Sequence, residues 1–224
     1  MCRFNFKLIK EIVLKRLVML VFIVLLSVSI DSKAEVDLGV IGGINASSLK
    51  IEPVDEFEIE GRTGFGIGLF MNFQTNEFLS LQITPMYLQK GGNAKLDINF
   101  LDYTEFRADY LEIPILARFN FDAGTIKPCL LAGPSLGFQM NSTYLDADGN
   151  KEDISDETKG LDLSAVFGGG LEIELDGLSL FGQLTYSYGL SDIDDSDGLL
   201  DFTDEIYTRG VGVFVGISVP MGKN

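Results

Sequence analysis

Residues 64–74 read GFGIGLFMNFQ and residues 210–219 read GVGVFVGISV, and these stretches indicate how the chain folds. In the first, Phe65, Ile67 and Leu69 alternate with glycines, and in the second, valine or isoleucine occupies every odd position. A period of two places successive side chains on opposite faces of a strand, whereas a helix would need a period near 3.6. Both stretches therefore predict β-strands with one apolar face and one face of glycine and polar residues.

Six further segments repeat this alternation, and the connections between the eight are short and long in turn. The short ones, at 74–78, 122–125 and 176–178, include Asp-Ala-Gly and Asp-Gly turn sequences. Short turns at one end and long loops at the other are typical of barrels in the outer membrane. We therefore predict an all-β fold, an eight-stranded antiparallel up-and-down transmembrane β-barrel with short periplasmic turns and long acidic outer loops. The predicted strands are 36–46, 64–74, 78–90, 107–121, 126–140, 161–175, 178–190 and 207–219, and the long connections are 47–63, 91–109, 141–160 and 191–206.

The strands of a soluble sandwich or lipocalin also alternate between apolar and polar residues. The residues opposite the apolar face must therefore distinguish a soluble protein from a membrane barrel. Here the face opposite the apolar one carries charges and many of the 25 glycines, which suits the narrow lumen that eight strands enclose. Cys129 on that face is interpreted as a small buried filler, with a reactive thiol as the alternative. A soluble secreted barrel is the rival fold, and recovery in an aqueous fraction without detergent would favour it.

The first 34 residues predict a secretory signal peptide. Basic residues, among them Lys7, Lys10, Lys15 and Arg16, precede an apolar run at 17–26, and 32–34 supplies a small-x-small cleavage site. The run is shorter than the roughly 20 residues that a membrane-spanning helix needs. The predicted organisation is a cleaved signal peptide at 1–34 and an outer-membrane β-barrel domain at 35–224.

The aromatic residues suggest the orientation of the barrel. All seven tyrosines lie in or beside the predicted long-connection ends of strands, and several phenylalanines lie near the short turns. Amphipathic tyrosines suit the headgroup boundary, so we predict a tyrosine girdle at the outer end. The tyrosines are Tyr87, Tyr103, Tyr110, Tyr144, Tyr186, Tyr188 and Tyr207, and the phenylalanines are Phe73, Phe78, Phe119 and Phe121.

Four segments resemble a known family. They are YLEIP at 110–114, LAGPSLG at 131–137, GGGLE at 168–172 and YSYGL at 186–190. These are similar to the PorT-like outer-membrane β-barrels of the Bacteroidota, and the resemblance covers nearly all of 35–224. It implies the barrel fold and the bacterial cell outer membrane. It also implies a role mostly undefined within the family, whose namesake is attached to a protein-secretion machine. The C-terminus at 220–224 departs from the usual barrel pattern because it lacks a terminal aromatic residue.

The charges predicted to face the lumen form the candidate site. An unpaired buried ion is costly, so we interpret them as a salt-bridged plug, with a catalytic carboxylate pair as the alternative. Arg118 should point inward, because a lipid-facing arginine at mid-bilayer would cost roughly 2–4 kcal/mol. The chain has no histidine, which excludes enzymes that need an imidazole base. The predicted lumen charge network comprises Glu112, Arg118, Lys127, Glu172 and Glu174.

The long connections are acidic, and the formal net charge of the chain is -16. This excludes nucleic-acid partners, which require clustered Lys and Arg. One hypothesis is that the loops bind divalent cations and bridge to lipopolysaccharide; the other is a solvated surface without a ligand. Calorimetry with calcium separates the two, and the absence of heat would remove the cation hypothesis. The candidate ligands are Asp146, Asp148, Asp192, Asp194, Asp195 and Asp197.

These patterns favour a barrel with a structural or protein-interaction role, as an accessory part of an envelope or secretion complex. A narrow channel for small solutes is the first alternative, and a lumenal or surface enzyme without histidine is the second. We expect no catalytic activity and no cofactor. The expected partners are outer-membrane lipid, lipopolysaccharide and envelope or secretion-machinery proteins.

Overall fold

The computed structural model describes residues 35–52, 59–94, 104–145, 151–153, 160–191 and 205–221. The predicted signal peptide and the six candidate aspartates of the long connections lie outside these ranges, so they stay predictions. Within the ranges no helix is long and apolar enough to cross a membrane. The strands are β1 Val36–Glu52, β2 Ile59–Gln74, β3 Leu79–Ile83, β4 Met86–Ala94, β5 Thr104–Asn120, β6 Ile126–Leu145, β7 Lys151–Asp153, β8 Leu161–Leu175, β9 Leu178–Gly189 and β10 Glu205–Met221.

The strands close into one antiparallel ring. β1 pairs with β2 on one side and with β10 on the other, and β10 continues through β9, β8 and β6 to β5. β3 and β4 together fill the one position between β2 and β5, while β7 pairs with the end of β6 alone. The ring therefore has eight strand positions, and the predicted eight-stranded up-and-down barrel is confirmed.

The two faces of the strands lie as the alternation predicts. On β10, Val211 to Val219 at odd positions are exposed on the outside, while Phe214 and Ser218 are buried inside. With a rise of about 3.3 Å per residue and a tilt of about 40°, the stretch from Val211 to Met221 covers about 25 Å along the barrel axis. This height matches the apolar band of an outer-membrane barrel.

The strands differ from the prediction at the end where the long connections lie. We predicted that β1 stops near residue 46, but its ladder with β10 continues to the pair Glu52–Glu205. β6 likewise runs to Leu145 and pairs with β7 there. Polar residues end the apolar alternation where a strand leaves the membrane, but they do not stop backbone pairing in water. The long connections are therefore shorter than we predicted.

Proline divides the predicted third strand. Pro85 has no N–H to donate, and the strand breaks there into β3 and β4. The backbone bonds on either side are kept, since Thr84 N–H donates to the Pro114 carbonyl and Leu69 N–H donates to the Pro85 carbonyl. The inward face stays in phase across the break, from Gln82 to Met86.

The short turns have the predicted chemistry. The Asn76 side-chain oxygen accepts bonds from the N–H groups of Phe78 and Leu79. In the other two turns, Gly124 and Gly177 have positive φ of 84° and 78°, which glycine adopts without strain. All three described connections at this end are therefore tight turns.

The tyrosine girdle needs a correction at one position. Tyr186 and Tyr188 are exposed on the outside, and Tyr87 packs on the outward-facing Phe65 with ring centroids 5.5 Å apart. Tyr110, however, is fully buried in the lumen. It lies two positions before Glu112, so the alternation of β5 directs both side chains inward. Tyr103 and Tyr144 lie outside the residues whose side chains are described.

Glycines on the inward face keep the lumen closed tightly. A Cβ atom at Gly43 would lie 2.1 Å from the carbonyl oxygen of Val213 on the neighbouring strand, which is backbone and cannot give way. The adjacent Gly42 points outward, and its Cβ atom would meet only the Gly66 carbonyl oxygen, at 3.5 Å. The inward glycines are therefore a steric requirement of the barrel, and the outward one is not.

Replacing Gly43 by alanine should destabilise the barrel by about 1–3 kcal/mol through overpacking. The neighbouring Gly42→Ala should stay within about 0.5 kcal/mol of the parent chain. Equilibrium unfolding in urea, followed by gel mobility of the barrel refolded in vesicles, measures both. Equal effects of the two substitutions would contradict the assignment of the faces.

Candidate functional site

The middle of the lumen is filled by an apolar plug. Its members come from five strands and are at least nine-tenths buried, so they face one another across the barrel. The Phe70 and Phe181 rings stack with centroids 4.2 Å apart. The plug residues are Ile41, Phe70, Met86, Leu88, Phe181 and Phe214.

One ion cluster, the Lys90 cluster, lies toward the long-connection end of the plug. Lys90 Nζ lies 2.8 Å from Glu112 Oε2 and 3.1 Å from Asp162 Oδ2, and all three side chains are at most 5% exposed. The ammonium group also lies 4.9 Å from the ring centroid of Tyr110. One buried cation therefore joins β4, β5 and β8 across the lumen.

Hydroxyl groups complete the Lys90 cluster. The Ser135 hydroxyl donates to Glu112 Oε1 at 2.6 Å, and the Thr208 hydroxyl donates to Asp162 Oδ2 at 3.0 Å. Ser191 donates to the other oxygen of Asp162 at 3.2 Å. Two carboxylates share one ammonium, so the cluster has one excess negative charge that these hydroxyl donors help to stabilise.

Gly137 on β6 makes room for this arrangement. A Cβ atom there would lie 3.0 Å from Glu112 Oε2 and 3.4 Å from the Asp162 Cβ. A side chain at this position would push the two carboxylates away from Lys90. The local sequence of β6 therefore positions the Lys90 cluster without contributing a charge.

A second cluster, the Arg118 cluster, lies on the other side of the plug. Arg118 is 1% exposed and forms an ion pair with Glu172 across β6. Its Nε donates to Asn120 Oδ1 at 2.8 Å, and Asn120 in turn donates to the Ser80 hydroxyl at 3.1 Å. The guanidinium thus points inward and is held by partners on β5 and β8, with Ser80 of β3 bonded to the first of them.

A third ion pair closes the short-turn mouth. Lys127 Nζ contacts Glu174 Oε1, with side chains 35% and 54% exposed. In the middle of the lumen, the Gln82 and Gln183 amides exchange two hydrogen bonds of 3.2 and 2.9 Å. Polar contacts therefore cross the lumen at several heights, and they alternate with the apolar plug.

The five predicted network residues are thus divided between separate groups. Arg118 with Glu172 and Lys127 with Glu174 lie at the short-turn end, whereas Glu112 lies in the Lys90 cluster beyond the plug. Lys90 and Asp162 were missing from the predicted network, although the alternation of β4 and β8 puts both on the inward face. The even-numbered positions of Lys90 and Asp162 in β4 and β8 indicated that both side chains face inward. The sequence does not show how far neighbouring strands are staggered, so it did not predict that these side chains lie at the same height in the barrel.

One small cavity lies in the lumen next to the Lys90 cluster. A cavity of about 50 Å³ lies beside Lys90 and Glu112 and is lined by residues that include Gln82 and Phe214. Cys129 is buried in a neighbouring apolar group with Leu116, and its thiol is free. Around the described part of the lumen, no three side chains are arranged to hold a metal ion.

A family model described as "Outer membrane protein beta-barrel domain" matches residues 29–195. No curated protein matches the chain in sequence.

Solved structures of small barrels are similar to the chain. Neisserial surface protein A is 15% identical, with 81% of this chain and 96% of that chain covered and a TM-score of 0.48. Ail of Yersinia pestis is 15% identical, with 83% and 98% covered and a TM-score of 0.41. OprG of Pseudomonas aeruginosa is 9% identical, with 85% and 97% covered and a TM-score of 0.45. These likenesses concern the fold alone.

Removing the buried ammonium should destabilise the barrel strongly. Lys90→Met leaves Glu112 and Asp162 buried without a cation, and we expect a loss of about 3–5 kcal/mol. Lys127→Met breaks a half-exposed pair and should cost at most about 1 kcal/mol. Urea unfolding followed by circular dichroism gives both values.

A rescue variant separates charge from packing. Lys90→Met combined with Glu112→Gln and Asp162→Asn removes the unpaired charges and should regain most of the lost stability. If Lys90→Met alone unfolds at the same urea concentration as the parent chain, the Lys90 cluster does not stabilise the barrel.

Proposed function

The chain belongs to the family of outer membrane protein beta-barrel domains, and from this premise we propose that it acts as a structural or protein-interaction barrel. The protein resides in the bacterial outer membrane, with its apolar outer face against lipid. Its role there depends on whether the barrel works through its lumen or through its outer surfaces. The packing of side chains inside the barrel favours a role for its outer surfaces.

The filled lumen carries this proposal. The apolar plug and the two ion clusters occupy the interior at successive heights, and the cavity beside Lys90 is only about 50 Å³. Such a volume accommodates only a few water molecules. Eight strands leave an interior that side chains can just fill. The narrow channel is therefore the weaker alternative.

The buried charges also favour a role without catalysis. Carboxylates engage the Lys90 ammonium and the Arg118 guanidinium, and the hydroxyls of Ser135 and Thr208 donate to the two carboxylates that pair with Lys90. A general acid or base needs a path to substrate. Glu112 and Asp162 are at most 4% exposed, so they have no such path in this arrangement.

The strands that rise above the apolar band provide a surface for a partner. β1 and β10 stay paired from the band to Glu52–Glu205, and β6 continues to pair with β7. The six β10 residues that precede Val211 add about 20 Å along the strand. A paired wall of this length is a platform that offers a protein partner a larger surface than a single loop would.

The resemblance to PorT-like barrels suggests what kind of partner the barrel binds. The segments at 110–114 and 131–137 place Glu112, Ser135 and Gly137 in the Lys90 cluster, so they support the barrel rather than a surface. The proposal of an accessory role in an envelope or secretion complex therefore rests on the resemblance, and the structure contributes the platform.

Position-specific photo-crosslinking in the intact envelope tests the proposal. A photoreactive residue at Gly160, just before β8, samples the long-connection rim, and one at Thr125 samples the short turns; both positions are exposed. Val215, which is 65% exposed in the apolar band, is the matched control for lateral contacts. We expect a defined set of protein adducts from one rim and not from Val215.

Two outcomes would contradict the proposal. One is the absence of protein adducts at both rims under conditions in which the control position captures lipid. The other is an identical set of adducts at all three positions, which would indicate crowding rather than a specific partner.

A further inference from the structure

The Lys90 cluster holds an amine and a carboxyl group next to each other in a buried site. Lys90 Nζ lies 3.1 Å from Asp162 Oδ2, so the carboxyl carbon of Asp162 is at most one C–O bond farther away. Both side chains are at most 5% exposed. Reacting atoms that are held about 3–3.5 Å apart reach effective molarities of roughly 10⁵–10⁸ M. A small movement of the Lys90 side chain brings its nitrogen to that distance from the carbon, so the pair is placed for reaction as well as for Coulomb attraction.

A second carboxylate is positioned to move the protons of such a reaction. Glu112 Oε2 lies 2.8 Å from Lys90 Nζ, and in the described part of the chain it accepts no hydrogen bond from another donor. The Ser135 hydroxyl fixes the other oxygen, Glu112 Oε1. Gly137 keeps the space between the two carboxyl groups open, since a Cβ atom there would lie 3.0 Å from Glu112 Oε2 and 3.4 Å from the Asp162 Cβ. Glu112 can therefore accept a proton from Lys90 and pass it to Asp162.

Two hydroxyl groups and a small cavity suit the remaining steps. Thr208 donates to Asp162 Oδ2 at 3.0 Å, and Ser191 donates to Asp162 Oδ1 at 3.2 Å. Donors on both oxygens stabilise the negative charge that develops when a nucleophile attacks the carboxyl carbon. The cavity of about 50 Å³ beside Lys90 and Glu112 has room for a released water molecule. Burial of the site also protects a product from hydrolysis.

We propose that Lys90 and Asp162 condense to an amide bond in the folded barrel. Glu112 takes a proton from the ammonium group and passes it to the Asp162 carboxylate, which leaves an uncharged amine beside an uncharged acid. The amine nitrogen attacks the carboxyl carbon, and a C–N bond forms. Glu112 then transfers the second proton of the nitrogen to the departing hydroxyl group, so the C–O bond breaks and one water molecule is released. Glu112 ends as a carboxylate, and the reaction needs no oxidant or reductant.

The amide would connect two walls of the lumen covalently. β4, which carries Lys90, and β8, which carries Asp162, are separated in the ring by β5 and β6. The bond replaces a buried ion pair by a neutral group and leaves Glu112 as the one charge of the three. It keeps the two strands together at the long-connection end of the plug even where backbone pairing is lost locally.

Intact mass spectrometry of the full chain, extracted from the membrane in detergent, tests the proposal. We expect a mass lower by one water molecule than the processed sequence requires, and a branched tryptic peptide that joins Lys90 to Asp162. The same chain kept in urea and never folded should have its full mass, because the two groups meet only in the barrel. Lys90→Met should also have its full mass.

The role of Glu112 has its own test. Glu112→Gln leaves Lys90 and Asp162 as a charge-balanced pair but removes the group that moves the protons. After refolding from urea, this variant should form the bond about 10²–10⁴-fold more slowly than the parent chain, the usual contribution of general acid–base catalysis. The rate is measured as the loss of mass with time.

Lys127→Met is the matched control. Lys127 contacts Glu174 at the short-turn mouth, where the side chains are 35% and 54% exposed and water competes with the amine. The substitution removes another lysine of the lumen and should leave the loss of one water molecule unchanged. Heat-dependent gel mobility verifies that each variant is folded, and Glu112→Gln keeps the test valid if Lys90→Met does not fold.

Four results would overturn the inference. The full mass in the membrane-extracted parent chain would exclude the bond, and an equal loss of water in Lys90→Met would place the loss elsewhere in the chain. A peptide that joins Lys90 to Glu112 would show that Asp162 is not the partner. Equally fast bond formation in Glu112→Gln and the parent chain would remove Glu112 from the reaction. None of these results bears on crosslinking to protein partners, so this inference and the proposed function can fail separately.

Discussion

The constraint on which the structure depends is that no backbone N–H or C=O group can remain unpaired in hydrocarbon. A sheet meets this requirement only when its first and last strands pair. Here β1 and β10 do so over their whole described lengths, from Val36–Met221 to Glu52–Glu205. The proline at position 85 is tolerated because the Pro85 carbonyl still accepts from β2 and the neighbouring Thr84 N–H still donates to β5. Closure then leaves an outside that must be apolar and an inside that must be filled.

The interior is filled because a closed ring of only eight strand positions encloses a narrow lumen. The neighbouring backbones approach closely enough that inward positions such as Gly43 and Gly216 admit no Cβ atom. Where larger side chains fit, aromatic rings meet near the middle, and charges pair on either side of them. A buried ion pair is weak evidence for net stability compared with an apolar filling, but removal of one partner is costly. The clusters therefore fix which strands lie opposite one another, and they also block the lumen.

Sequence reasoning predicted what depends on alternation and turn chemistry, since both are local. The faces of β10, the turn at Gly177 and the burial of Cys129 follow from residues that are near one another in the chain. The grouping of Lys90 with Asp162 depends on the stagger of β4, β5 and β8 around the ring, which no local pattern records. The prediction of Tyr110 in the tyrosine girdle was wrong for a different reason. Its position two residues before Glu112 already indicated an inward side chain, but we assigned it to the headgroup boundary because it is a tyrosine. The strand ends were underestimated because pairing continues in water after the apolar alternation stops.

The role assigned to the barrel depends on a lumen that is blocked. Single-channel recording in planar bilayers tests this most directly, with insertion of the purified full chain verified by heat-dependent gel mobility of protein recovered from the same vesicles. The account predicts a baseline without conductance steps across the range of holding potentials. Discrete, reproducible steps from the folded barrel would contradict it, and the function would then lie in the lumen.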